Sequence, residues 1–320
     1  MVRRSGWVGL VVVVAIATLA ASAEAVTITL YRLPTPDSRI GGMTLGRGGD
    51  VWFTEIWGNK IGRLTPEGSI QEFEIPTPSS DPQDIAMGSD GNFWFTESRG
   101  NKIGTLTIDG AFAEYPLPSQ GSDPFQIAAG PDGNLWFTEL DNRIGRITTA
   151  GVITEYTTAG VIEPYGITSA KDGLLWFTVY GSGEIGSIDP SSGQISLYPI
   201  LGYFPAPTGI AVGPDGNVWF VAGSFFGDDH GQLGRVSPNG AITNFPLPTS
   251  TAGPQDIVSS RGFLWFTEAV ANQLGKATTG GAISEFGLPG KPGPTSIVSA
   301  ISGRTMWVAL PRSNTIAGLS

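Results

Sequence analysis

The chain has 320 residues, 40% hydrophobic and only 14% charged, with 46 Gly, 24 Pro and no Cys. That composition excludes a disordered chain, a disulfide framework and a lipid-anchored cysteine. The formal net charge of −10 argues against nucleic acid or an anionic membrane as partner.

Arg3 and Arg4 open the chain, an apolar run follows from Trp7 to Ala20, and small residues close the segment at Ala21–Ala25. A basic start, a short apolar stretch and an Ala-x-Ala exit predict a secretory signal peptide over 1–25, cleaved after Ala23 or Ala25. The run is short for a membrane span, which needs ~20 apolar residues. The expected product is a secreted protein, periplasmic or extracellular, with no membrane span after cleavage. Without residues 1–25 the chain keeps 16 basic and 27 acidic side chains, which suits cations or small neutral ligands as much as bare solubility.

From there a single phrase repeats. Trp52, Trp94, Trp136, Trp176, Trp219, Trp265 and Trp307 fall at intervals of 42, 42, 40, 43, 46 and 42 residues. Around them runs Pro-x-x-Ile-x-x-x-x-Asp-Gly-x-x-Trp-Phe-Thr-Glu, then Asn-x-Ile-Gly and an aromatic-Pro-Leu-Pro segment. A period of this size marks a unit that buries its apolar face only by stacking on copies of itself. In the second unit Ile85–Gly88 reads as a strand and Asp90-Gly91 as a hairpin turn. Phe93–Thr96, Lys102–Leu106 and Ala111–Tyr115 read as three further strands. Four antiparallel strands per unit make a propeller blade. The segment Ile28–Pro34 matches a fourth strand, whereas the last unit stops after its third at Thr315–Leu319. The expected fold is therefore all-β: one domain over 26–320, a seven-bladed β-propeller closed by the N-terminal strand joining the last blade. Closure removes the two exposed sheet edges of an open array.

This topology brings the start of each inner strand and the end of each Trp strand to one mouth. Three residues after Trp stand Glu55, Glu97, Glu139, Val179, Ala222, Glu268 and Leu310. Before the repeat Pro stand Asp81, Asp123, Glu163, Ala206, Gly253 and Gly293, and after it Gln83, Phe125, Tyr165, Thr208, Gln255 and Thr295. Blade one has no Pro there and reads Ile40-Gly41-Gly42. Two acids in each of blades two and three, Asp81 with Glu97 and Asp123 with Glu139, are candidate ligands for Mg²⁺ or Ca²⁺, with Glu55, Glu163 and Glu268 as weaker ones. A Glu repeated in one slot of four blades equally suits the backbone N–H groups of the adjoining turn. Blade five adds about five residues at Gly223–His230, a loop with Phe225, Phe226 and the one His of the chain, His230. Gln83, Phe125, Tyr165, Phe225 and Phe226 are the candidate ligand contacts. With no Cys and a single His, no nucleophile triad can be assembled, and no organic cofactor is expected.

On these phrases the chain resembles the streptogramin B lyase (virginiamycin B lyase) family over about 40–314, most densely in Asp81–Leu117, Asp123–Tyr156 and Gly253–Phe286. The resemblance implies a seven-bladed propeller that linearises a cyclic depsipeptide by elimination at its ester. There a base removes a proton beside a carbonyl while Mg²⁺ polarises the oxygens. The family motif places an acid before the repeat Pro, a His directly after it, and a Glu three after Trp. The acid positions carry over as Asp81, Asp123 or Glu163 and as Glu97, Glu139 or Glu268. The His positions hold Gln83, Phe125, Tyr165, Thr208, Gln255 and Thr295. Tyr165 is the titratable substitute among them, with His230 of the blade-five loop as the other catalytic candidate. Three readings follow. The leading one is a monomeric secreted propeller that binds a small or cyclic-peptide-like ligand or a divalent cation at the mouth, without His-dependent elimination. The others are a metal-dependent lyase or lactone/ester hydrolase on the same face, and a protein-interaction scaffold.

Overall fold

The computed structural model describes residues 11–12, 27–158, 160, 163–201, 206–223, 231–300 and 305–320. These form seven antiparallel blades of four strands in a ring, six of them running from an inner strand to an outer one in sequence order. Blade two shows the pattern: Pro82–Met87 is innermost, followed by Phe93–Glu97, Lys102–Leu106 and Phe112–Pro116. Its inner strand begins three residues earlier than the sequence pattern suggests. A bulge between Pro82 and Ile85 interrupts the register and hides the start from an apolar count. In blade seven Ile28–Arg32 pairs with Thr315–Leu319, which closes the ring as expected. Val11–Val12 adds a short ladder outside it, on Tyr31 and Leu30. The rest of the expected signal peptide, 1–10 and 13–25, lies outside the described residues. Among the described residues no helix is long and apolar enough to cross a membrane.

The core consists of seven apolar clusters, one at each blade interface. Pleating of the second strand feeds two of them at once, because alternate side chains leave opposite faces. Trp94 faces blade three with Ile127 and Phe137, while Phe93 and Phe95 face blade one against Trp52. Trp52 stacks on Phe93 at 4.1 Å between centroids and on Phe73 of its own outer strand at 5.7 Å. The outer aromatics Tyr115, Tyr156, Tyr198, Phe245 and Phe286 stack on their own blade's Trp in the same way. That pairing accounts for the aromatic before each Pro-Leu-Pro.

Two further repeat positions have steric or polar causes. Gly62, Gly104, Gly145, Gly186, Gly234 and Gly275 lie opposite Phe53, Phe95, Phe137, Phe177, Phe220 and Phe266, and a Cβ on any of them would fall inside the ring. Blade seven has Val308 opposite Ala317, a smaller second-strand side chain that leaves room for a methyl across from it. The turn Asp accepts the indole N–H of Trp94, Trp136, Trp176 and Trp219. In blades one and six that slot is Gly48 or Arg261, and the Trp52 and Trp265 indole nitrogens are buried without a partner.

Five of the seven links between blades are tied by an Asn. Asn59, Asn101, Asn142, Asn272 and Asn314 sit in left-handed backbone, φ 51–63°. Asn59 Oδ1 accepts from Ser80 N at 2.7 Å, and its Nδ2 donates to the carbonyls of Ile75 and Thr77. Asn314 does the same for Ser38 and Thr35, 276 and 279 residues away, so the final blade clamps the entry to the first.

Gly104→Ala is expected to cost about 1–3 kcal/mol by overpacking, and Phe95→Val in the same chain to recover much of it. A denaturant double-mutant cycle should give a coupling of about 1 kcal/mol or more, and simple additivity would contradict the ring-over-glycine packing. Gly48→Asn puts an acceptor where open space faces the orphan Trp52 indole, and should raise stability by about 0.5–1.5 kcal/mol. An unchanged or lower melting temperature would count against that orphan N–H.

Candidate functional site

The parity that places Phe95 toward blade one places Glu97 there too. Glu55, Glu97, Glu139 and Glu268 are each 0% exposed, and none of their carboxylate oxygens has a hydrogen-bond partner. Glu97 sits beneath Gly100 and Glu55 beneath Gly58, in the turns that follow the Trp strands. The serines nearest three of them point elsewhere: Ser38 Oγ donates to Asn314 Oδ1, Ser80 Oγ to Asn59 Oδ1 and Ser122 Oγ to the Ser119 carbonyl. Burial pushes Glu55 and Glu268 up to about 8 and Glu97 and Glu139 up to about 7, with Glu72, Glu285, Glu114 and Glu155 of the outer strands adding repulsion. Those outer glutamates are themselves bound. Glu114 accepts from Thr77 N, Thr77 Oγ1 and Lys102 Nζ, and Glu72 repeats the arrangement with Thr35 and Lys60.

The acids before Pro are placed differently. Asp81, Asp123 and Glu163 have positive φ of 59°, 52° and 58°, and Asp123 Oδ1 accepts from Ser98 Oγ of blade two at 2.5 Å. The structure therefore does not bring Asp81, Glu97, Asp123 and Glu139 together. Glu97 faces the first interface and Glu139 the second, while Asp123 bridges at the rim. Among the described residues no three His, Cys, Asp or Glu side chains converge. The four acids do not fit a joint cage for Mg²⁺ or Ca²⁺.

What does converge is the hub. The inner strands enclose a cavity of about 340 Å³. Six of the seven residues at the position after Pro line it: Gly41, Gln83, Phe125, Tyr165, Gln255 and Thr295. Thr208 is buried instead, its hydroxyl donating to the Pro254 carbonyl at 3.1 Å. Phe125 and Tyr165 meet at 4.2 Å between centroids and Tyr180 stands 5.6 Å from Tyr165, so blades three and four give the cavity an aromatic wall. Burial, and then Tyr180, push the Tyr165 phenol well above its ordinary value. At neutral pH it is a hydrogen-bonding phenol and not a base. Phe225, Phe226 and His230 lie outside the described residues.

One position deeper are residues that the repeat phrase left as an unspecified x. Asp84 Oδ2 accepts from Ile127 N of blade three at 3.0 Å. Asp256 Oδ2 accepts from Ile297 N of blade seven at 2.9 Å and from Ser296 Oγ at 3.2 Å, and Gln126 Oε1 from Ile167 N at 3.3 Å. Each staples its inner strand to the next blade's. Gly42 holds this position in blade one because a Cβ there would overlap the Asp84 carboxyl. Burial pushes Asp84 up to about 7 and Asp256 up to about 6, against the pull of those backbone donors. The duplicated Pro-Gln-Asp-Ile at 82–85 and 254–257 was the signal for both in the sequence.

The buried glutamates fix a sign for pH dependence. Their folded pKa values lie above the unfolded ones, so the stability they permit is complete below about pH 4.5 and is lost as pH rises through 7 to 8. The melting temperature should fall between pH 5 and 9. Glu97→Gln with Glu139→Gln should flatten that fall and stabilise the protein at pH 9 by about 1–3 kcal/mol. Stability that rises with pH across this window would contradict the burial of these groups.

Comparison with known proteins agrees with this geometry. The Virginiamycin B lyase family model matches residues 15–224 and 163–320. The virginiamycin B lyase of Nocardia farcinica (strain IFM 10152) is 33% identical over 163 residues, 51% of this chain, and the match spans about half of that relative's length, 54%. Selenomethionine-substituted virginiamycin B lyase from Staphylococcus aureus superposes with a TM-score of 0.85 at 36% identity, covering 92% of this chain and 99% of that one. A catalytically inactive variant of the same lyase, His replaced by Ala and solved with quinupristin, matches equally well: TM-score 0.85, 36% identity, 92% and 99% covered. With the family model matched over most of its length and the fold superposing over 92% of it, the chain belongs to the virginiamycin B lyase family.

Proposed function

We propose that this protein is a secreted ligand-binding propeller that takes a small, partly aromatic molecule of the cyclic depsipeptide class into the hub, without the family's His-based elimination. The observation that carries this reading is the hub cavity of about 340 Å³ with its wall of Phe125 and Tyr165. A cavity of this size with aromatic surface and a few polar groups has the character of a small-molecule site. The absence of elimination rests on the residues after Pro. Gln83, Phe125, Tyr165, Gln255 and Thr295 include no base competent near neutral pH. The single His of the chain, His230, belongs to the blade-five loop. A relative that loses one His to Ala is inactive, which makes that substitution pattern pertinent here. Secretion rests on the Arg3-Arg4 start and the apolar run to Ala20.

One observation favours a second reading, a lyase or lactone-cleaving enzyme. Asp84 and Asp256 line the cavity, and burial pushes them up to about 7 and about 6, toward the range a general base needs. Asp256 would then replace the missing imidazole.

Incubation of the purified protein with quinupristin separates the two. Binding should saturate without ring opening, and Phe125→Ala should weaken it about tenfold. Mass spectrometry distinguishes the products, because elimination leaves the mass unchanged and hydrolysis adds one water. Turnover of either kind would overturn the binding-only reading, and its loss in Asp256→Asn would establish the second.

A further inference from the structure

Blade one breaks the repeat at the rim of the cavity. Ile40 pairs with Glu55 as Pro82 pairs with Glu97, so Arg39 occupies the position that Asp81, Asp123 and Glu163 fill in blades two to four. The backbone is the same in all four, with φ of 50° at Arg39. Where three blades present a carboxylate, the first presents a guanidinium.

Arg39 is the one Lys or Arg among the residues lining the cavity. Its side chain is exposed, and among the described residues it has no ion-pair partner. Its guanidinium lies 5.3 Å from the ring centroid of Trp57, which is 68% exposed and follows the Trp strand of the same blade. Stacking on the indole restrains the guanidinium plane and leaves its N–H edge free. Arg39, Phe125 and Tyr165 line the same cavity. Arg39 and the Phe125–Tyr165 wall therefore face one space. The acids that line the cavity leave the cation unmatched: Asp84 and Asp256 are engaged by backbone N–H groups of the next blade.

An uncompensated guanidinium beside an aromatic wall, in a chain of net charge −10, has a specific chemical complement. We infer that the mouth recognises an anionic aromatic ligand, whose carboxylate is received by Arg39 and whose ring packs on Phe125 and Tyr165. The planar fork of Arg binds a carboxylate through two parallel N–H···O bonds, a geometry a neutral amide cannot reproduce. This inference rests on the reading of the hub as a small-molecule site, and gives that site its charge preference.

The test uses 4-phenylbutanoate and its uncharged amide, 4-phenylbutanamide, titrated into the purified protein by ligand-observed NMR. The acid should bind about tenfold tighter than the amide, and its affinity alone should fall as NaCl is raised. Arg39→Gln should bring the two affinities together, while Phe125→Ala should weaken both by the same factor. Equal binding of acid and amide to the wild type, both weakened by Phe125→Ala, would overturn the carboxylate subsite and leave the hub a ligand site. A preference for the acid that survives Arg39→Gln would place the charge recognition elsewhere and overturn it too. Binding of neither probe would remove the aromatic-acid inference, whatever quinupristin does.

Discussion

Everything in this molecule depends on the alternation of side chains along the second strand of each blade. That strand is buried on both faces, and its two faces belong to different interfaces. Trp94 and Thr96 look toward the next blade, Phe95 and Glu97 toward the previous one. Apolar area is removed from water at both seams by one five-residue segment, so no blade is stable without two neighbours. The ring must then close, and closure is achieved by pairing residues 28–32 with 315–319 and by Asn314 reaching back to the first link. The last blade lacks the Phe-over-Gly contact and substitutes Val308 over Ala317. The seam tolerates a change of shape as long as the two residues change together.

The same alternation explains which parts of the site the sequence revealed. Fold, blade count and closure were legible because they follow from period and from a missing strand at one end. The mouth was legible as a place, since register fixes where Pro and Glu emerge. The role of the glutamates was not. Glu97 and Glu139 reach the right end of the blade, but they stand in phase with Phe95 and Phe137 and are drawn into the seams. Counting two residues from the buried Phe would have assigned them to the interior. Asp84 and Asp256 were missed for the opposite reason. They occupy a variable slot of the phrase, and the bulge after Pro turns them toward the hub, a local break in period that no alternation rule anticipates.

Burying four carboxylates without partners conflicts with the usual satisfaction of interior polar groups. The conflict is tolerable because near-neutral protonation removes the charge, leaving a carboxylic acid with the cost of an unpaired polar group. For Glu55 and Glu97 the cation that would hold the charged form is committed elsewhere. Lys102 and Lys60 bind the outer glutamates, and those contacts secure the links between blades. The seam thus keeps Lys60 and Lys102 where they order the chain, on the outer glutamates, and burial favours the neutral form of the second-strand acids.

The residue after Pro shows why such a fold can change its chemistry without changing its shape. Its backbone carbonyl ties neighbouring blades together, since Gln83, Phe125, Tyr165, Thr208 and Thr295 accept there from Thr54, Thr96, Thr138, Thr178 and Thr267 of the preceding blade. Where blade five has Val221 in place of that Thr, the Thr208 hydroxyl reaches Pro254 O instead and the inter-blade bond survives. The side chain at this position has no such duty in five blades, where it lines the hub, and blade one has Gly41 there. A His there, as in the family motif, and a Gln, Phe or Tyr, as here, are therefore equivalent to the ring and different to a ligand. Divergence of activity within this fold costs stability little when it passes through these positions. It costs much more through the second strand, where every side chain serves a seam.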